Sequence, residues 1–181
     1  ALSFHHRIVD NSDFSDLLGL NFNQYAENRL GFDTKIDWIV GLWLEGAWIN
    51  SQKDIGMLTN QTTLNAGIDY TFNLGNGLLA TYEHLIVSSD SDPFGFSNPF
   101  EFSLLSISYP LGLFDNVSAI FYYNWENDDV YSFLNWQRTY NRLSFHLMAY
   151  WNPEIFNIPQ QNLGSNMFGG KGIQIMFVFN H

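Results

Sequence analysis

No cysteine occurs anywhere in the 181 residues, which excludes disulfides, thiolate metal sites and a thiol nucleophile. Charge is scarce too: 14% of residues are Asp, Glu, Lys or Arg, where a soluble domain carries about 25%. Only 7 basic residues face 18 acidic ones, for a formal net charge of −11. So few cations exclude a phosphate-tracking surface, and with it a nucleic-acid partner. No run of about 18 apolar residues exists, so the chain is not built from membrane-spanning helices. Ala1-Leu2-Ser3-Phe4 lacks the basic and apolar segments of a signal peptide, so an exported protein would be represented here by a mature or truncated chain.

What is abundant is aromatic. Phe, Trp and Tyr make up 18% of the chain, while the mean hydropathy is only −0.11. A chain rich in rings, poor in charge and near neutral on average fits strands whose residues alternate between lipid and a polar interior. Alternation recurs with almost no helical period, over about ten segments: 2–9, 17–26, 34–49, 62–74, 77–88, 101–109, 116–126, 130–140, 142–152 and 171–180. The clearest sets Leu64, Ala66, Ile68, Tyr70 and Phe72 against Asn65, Gly67, Asp69, Thr71 and Asn73. Alternation is weakest over residues 1–30. No linker, repeat or low-complexity tract divides 1–181, which reads as a single domain.

Several segments exceed the five or six residues of ordinary strands and reach the nine to eleven that cross a bilayer at a tilt. The expected fold is therefore all-β, an antiparallel transmembrane β-barrel of about ten strands. A soluble sandwich or lipocalin-like barrel is the competing architecture, since its strands alternate as well. Connection lengths favour the membrane form. Long connections at 51–61, 89–100 and 153–170 interleave with Gly75-Asn76-Gly77, a compact turn at 110–115 and a tight turn at Asn141, with another connection near 27–33; only 127–129 is shorter than this pattern expects. Outer-membrane barrels place short turns at one end and long loops at the other. Trp38, Trp48, Trp125, Tyr140 and Trp151 fall near strand ends, as interface aromatics do. In the last strand Ile173, Ile175, Phe177 and Phe179 share one face, the pattern of a C-terminal strand that closes a barrel against its first strand.

A charge turned to lipid at mid-membrane costs several kcal/mol, about 2–4 for basic residues, so the acidic and amide side chains are assigned inward. The expected pore lining is Asp37, Glu45, Asp69, Glu83, Asn124, Glu126, Asn135, Gln137 and His146, with Gln174 beside them. Glu83 belongs there only if its neighbour His84 faces the other way. Acidic lining attracts cations, whereas the bland alternative is mutual hydrogen bonding across a filled lumen. No metal site or cofactor is expected, because the adjacent pair His5-His6 points to opposite faces of a strand. Catalysis is not expected either: the acids Asp90, Asp92, Asp128, Asp129 and Glu154 lie near strand ends without a rim histidine, and His146 lies mid-strand.

Three segments carry a resemblance. They are Arg29-Leu30-Gly31-Phe32-Asp33 with Gly41-Leu42-Trp43-Leu44-Glu45-Gly46; Gly75-Asn76-Gly77-Leu78 with Tyr82-Glu83-His84; and Tyr109-Pro110-Leu111-Gly112-Leu113-Phe114-Asp115-Asn116 with Trp125-Glu126-Asn127-Asp128-Asp129 and Leu134-Asn135-Trp136-Gln137. Together, over residues 29–180, the chain resembles a family of outer-membrane porin-like proteins of Gram-negative bacteria. The resemblance implies the C-terminal part of a larger barrel, since members carry further strands before this region. The functional expectation is a channel in a Gram-negative outer membrane for passive diffusion of small hydrophilic solutes or ions, mildly cation-preferring. The other expectation is a structural sleeve or anchor holding a periplasmic or extracellular partner, such as an electron-transfer protein. The expected partners are outer-membrane lipid, barrel-assembly machinery engaging the C-terminal strand, and a second copy of the chain or a protein inserted in the lumen.

Overall fold

The computed structural model describes residues 1–10, 24–97, 99–154 and 168–179. The chain is all-β, with one short 3-10 turn at Gly56–Leu58 and no described helix long and apolar enough to cross a membrane. Ten strands follow in order: β1 Leu2–Asp10, β2 Gln24–Asp37, β3 Gly41–Ser51, β4 Asn60–Phe72, β5 Leu78–Asp90, β6 Phe100–Pro110, β7 Asp115–Asn124, β8 Asp129–Thr139, β9 Leu143–Trp151 and β10 Lys171–Phe179. They form one sheet in which each strand neighbours the next in sequence, and every ladder with a resolved register is antiparallel. Among the described residues the order begins at β1 and ends at β10 with no ladder between them, so the sheet is open. Ile173, Ile175, Phe177 and Phe179 pair with Ala149, Leu147, Phe145 and Leu143 of β9, not with β1. The expected closure within the chain is thus absent.

Two further expectations are corrected. The segment 34–49 is two strands, because the chain reverses at Trp38-Ile39-Val40, where the Trp38 N–H donates to the Val40 carbonyl at 3.2 Å. This reversal leaves the alternation in phase: Ile36 lies opposite Leu42 and Thr34 opposite Leu44. The supposed connection at 27–33 is the middle of β2. Its Gly31 is no turn residue. The Ser3 hydroxyl stands 2.9 Å from where a Cβ would be, so glycine lets β1 and β2 meet closely. Of the expected strand at 17–26, residues 17–23 lie outside the described residues.

Turn chemistry marks the other reversals. Gly75 and Gly77 take φ of 58° and 96° between β4 and β5, a backbone that glycine adopts without penalty. Asp128 takes φ of 56° between β7 and β8 and is held by the Tyr123 hydroxyl, which donates to its carboxylate at 2.6 Å. Short and longer connections alternate with one exception. Short ones occupy 38–40, 73–77, 111–114 and 140–142; the others occupy 11–23, 52–59, 91–99, 125–128 and 152–170. Of this second set only 125–128 is short.

Contacts concentrate in two units. The first comprises 1–67 and 84–101, the second 68–83 and 102–181. Neither has an oily interior among its described residues. Among the described residues Tyr131 is the one hydrophobic side chain in the buried class, at 0% exposure.

Candidate functional site

A strand's period of two sorts residues onto faces, and residues directly opposite in a ladder share a face. In the first unit, Leu2, Phe4 and Ile8 of β1 lie opposite Phe32, Leu30 and Ala26 of β2. Those in turn face Gly46 and Trp48 of β3, and Leu64 of β4 reaches the same patch beside Gly46. In the second unit Leu105, Ile107 and Tyr109 lie opposite Phe121, Ala119 and Val117, then Leu134 and Trp136, then Ala149 and Leu147, then Ile173 and Ile175. Many of these side chains stand exposed, Ile173 at 75% and Phe177 at 66%. Each large apolar side chain left in water forgoes about 1.5–3 kcal/mol of burial.

Rings bracket this apolar face. In the first unit Trp38 is at the short turn, while Trp48 stacks on Phe94 of the 91–99 connection with centroids 4.9 Å apart. In the second, Tyr140 lies at the short-turn end with the Arg138 guanidinium 5.5 Å above its ring. At the opposite end Trp151 closes β9 and Trp125 follows the last residue of β7, its indole donating to the Ser103 hydroxyl at 2.9 Å. Trp38, Trp48, Trp125, Tyr140 and Trp151 thus lie at or near strand ends.

What is buried is polar. In the first unit these are Glu27, Ser51, Asn60, Thr62, Ser88 and Asp90; in the second, Ser103, Asn124, Ser132, Ser144 and Asn152. All but Ser144 lie toward the strand ends that carry the second set of connections. There Asn60, Ser88, Asp90, Asn124 and Asn152 fasten backbone at those connections, because a buried polar group without a partner would cost about 1–3 kcal/mol. The Asp90 carboxylate accepts from the Asp92 N–H at 3.1 Å and from both the N–H and hydroxyl of Ser97, while Ser88 donates to the Gly95 carbonyl. Asn152 accepts from the Ser132 N–H at 2.9 Å and donates to the Phe168 carbonyl at 2.7 Å.

The second face differs between the units. In the first it carries charge. Glu27, 5% exposed, accepts from Arg7 across the ladder at 3.1 Å and from Arg29 two residues along its own strand. Lys35 pairs with Asp37 at 3.2 Å, and the Ala1 ammonium pairs with Asp33 at 3.2 Å. Glu45 lies opposite Asp33. In the second unit the face carries rings and amides. Phe102, Tyr122, Tyr131, Phe133 and Tyr150 form a run of tilted and edge-on contacts 5.4–6.4 Å apart, and Phe168 packs edge-on against Phe133 and Tyr150.

Beside this cluster is a cavity of about 580 Å³. Phe102, Tyr122, Phe133 and Phe168 wall one part; Ser118, Asn135, Gln137 and His146 wall the other. Ser118 lies opposite Asn135, and Gln137 opposite His146. The fold therefore brings together three of the expected lining residues. Asn124 is on the same face, fully buried, its side-chain carbonyl accepting from the Glu126 N–H at 2.9 Å. Gln174 lies opposite Met148, also on this face. Asp69 shares a face with Gly67, whose missing Cβ gives room to the Trp43 ring. Glu83 takes this side as well. Its neighbour Tyr82 points the other way, to the Ser103 hydroxyl at 3.1 Å, and His84 lies 3.8 Å from the Glu101 carboxylate. No ion pair among the described residues holds Glu45, Asp69 or Glu83. Glu126 is the exception: it sits exposed on the 125–128 turn, outside the strand wall, because β7 ends at Asn124.

Sequence reasoning missed the Arg7–Glu27–Arg29 cluster because it read 27–33 as a connection. Glu27 and Arg29 stand two apart, the spacing of one strand face, and that signal was available. Phe168 had no local signal. Among the described residues no three His, Asp or Glu side chains are grouped to hold a metal ion.

No family model, curated protein or solved structure matches this chain. The class its own geometry defines is an antiparallel ten-stranded meander that shows, in each unit, one apolar face and one polar or ring-filled face.

Proposed function

We propose that this chain is the wall of a porin-like β-barrel in a Gram-negative outer membrane, where small hydrophilic solutes or ions diffuse passively with a mild preference for cations. The observation that carries this reading is the inverted burial. Among the described residues most large apolar side chains stand at least partly exposed, the buried ones are polar apart from Tyr131, and no oily core stabilises the sheet in water. Hydrocarbon around the apolar face removes that cost. Strands of 9–14 residues match the span of a tilted transmembrane strand. The alternating connections and ring-bracketed apolar face supply the ends and interfaces that such a wall needs.

Backbone groups at the edges of β1 and β10 are not tolerated in hydrocarbon, so the proposal requires an antiparallel partner strand at each edge. The resemblance to the C-terminal part of a larger barrel supplies one source of such strands. Glu45, Asp69 and Glu83, outside any ion pair among the described residues, supply the cation preference, since acids along a low-dielectric wall concentrate cations. Asp37 contributes less because Lys35 offsets its charge.

Planar-bilayer recording of the refolded chain tests the reading. Discrete conductance steps that grow with salt, with a reversal potential displaced toward the potassium equilibrium in a KCl gradient, are expected. A chain that stays dispersed without detergent defeats the membrane reading, and a folded, inserted sheet that never conducts defeats the channel. The second outcome would favour a sleeve or anchor holding a protein partner. One observation points that way, the ring cluster and Phe168 occupying the polar side of the second unit.

A further inference from the structure

We infer that the cavity in the second unit is a saturable binding site for a small uncharged aromatic solute bearing a hydrogen-bond donor, of the phenol or indole class. Its volume of about 580 Å³ lies within the roughly 300–1,000 Å³ usual for small-molecule sites. Rings set the shape. Tyr122 and Phe133 meet edge-on at 6.2 Å, and Phe133 meets Phe168 edge-on at 5.9 Å, which leaves ring faces and edges turned to the space between. A planar aromatic guest makes offset or edge-on contacts on such walls, and the Met148 thioether adds a soft contact at a ring edge.

The polar side sets the donor requirement. Gln137 is already committed to the Thr139 hydroxyl at 3.2 Å and His146 to the Ser144 hydroxyl at 3.3 Å. Asn135 differs from them: its side-chain carbonyl oxygen is buried and has no hydrogen-bond partner. An unsatisfied buried acceptor is costly, and a turn of the Asn135 amide that brings it to the cavity wall lets a guest N–H or O–H recover that cost. The lining holds no Lys, Arg, Asp or Glu, so a charged guest would lose its hydration without compensation. The site uses residues of the second unit alone and does not require conduction.

Ligand-observed NMR on the full chain in detergent micelles, titrated with phenol and indole and compared with benzoate and glucose, tests the site. Saturable binding of phenol and indole, at least tenfold stronger than that of benzoate or glucose, is expected. Phe133→Ala should abolish saturation. Asn135→Leu should weaken phenol about tenfold while leaving the midpoint of urea unfolding unchanged or raised, since it removes an unsatisfied acceptor. Uptake that rises linearly with ligand and is the same in wild type and both variants would overturn the site, as simple partition into the micelle. Glucose binding more tightly than phenol would overturn the assigned class. Neither result bears on bilayer conductance, so a failed site and a failed channel remain distinguishable.

Discussion

On one face of the first unit Glu27 is clasped between Arg7 and Arg29, whereas in the second unit the equivalent work falls to rings, with Tyr131 fully buried among Phe102, Tyr122 and their neighbours. The two solutions respond to different forces. Ion pairs with partly exposed arginines lose strength to solvent and salt, while ring packing in a closed cluster depends on area removed from water and on fit. The second unit should therefore be the more sensitive to truncation, and the first to ionic strength.

Tyr131→Ala is the severest break in this comparison. Removing a fully buried ring leaves a void, and a loss of about 3–5 kcal/mol is expected from urea unfolding in micelles. Asn152→Ala comes next. It orphans the Ser132 N–H and releases the Phe168 carbonyl, at a cost of about 1–3 kcal/mol. The same variant should loosen Phe168 from the ring cluster, seen as a lost ring-to-ring NOE between Phe168 and Phe133.

Glu27→Ala should cost about 1–2 kcal/mol, less than the loss of a fully buried pair because Arg7 and Arg29 keep contact with water. Its penalty should shrink in 1 M salt, while that of Tyr131→Ala does not. A similar loss for both at both ionic strengths would erase the distinction between the units. Lys35→Ala is the mildest, within about 0.5 kcal/mol, since both partners of the Lys35–Asp37 pair are exposed. Under the proposed function, replacing Asp69 and Glu83 together by Asn and Gln should reduce the cation preference read from the reversal potential and leave the size of the conductance steps nearly unchanged.

Much of this was legible before any coordinates. Eight of the ten strands, β3 to β10, follow from residues that alternate between a face needing apolar cover and one needing polar partners, as in Leu64 to Phe72 or Leu143 to Trp151. The reversal at Trp38-Ile39-Val40 was not. It contains no Gly, Pro, Asn or Asp to announce a turn, and Ile36 and Leu42 keep their phase through it. Conversely, Gly31 and Asp33 resemble turn residues yet lie mid-strand, where a close neighbour and not a bend explains the glycine. Within the candidate site, strand alternation marks Asn135, Gln137 and His146 individually. That they share one cavity with Phe168 was invisible.

The sequence alone determined the period, the two faces and the strand content, because a two-residue repeat is a local property that needs no partner to be expressed. Only the tertiary structure decided which strands exist as separate pieces, which edges stay unpaired and which ring from a long connection reaches the wall. Those outcomes depend on chain direction and on contacts between residues far apart in sequence, and an alternating pattern carries neither.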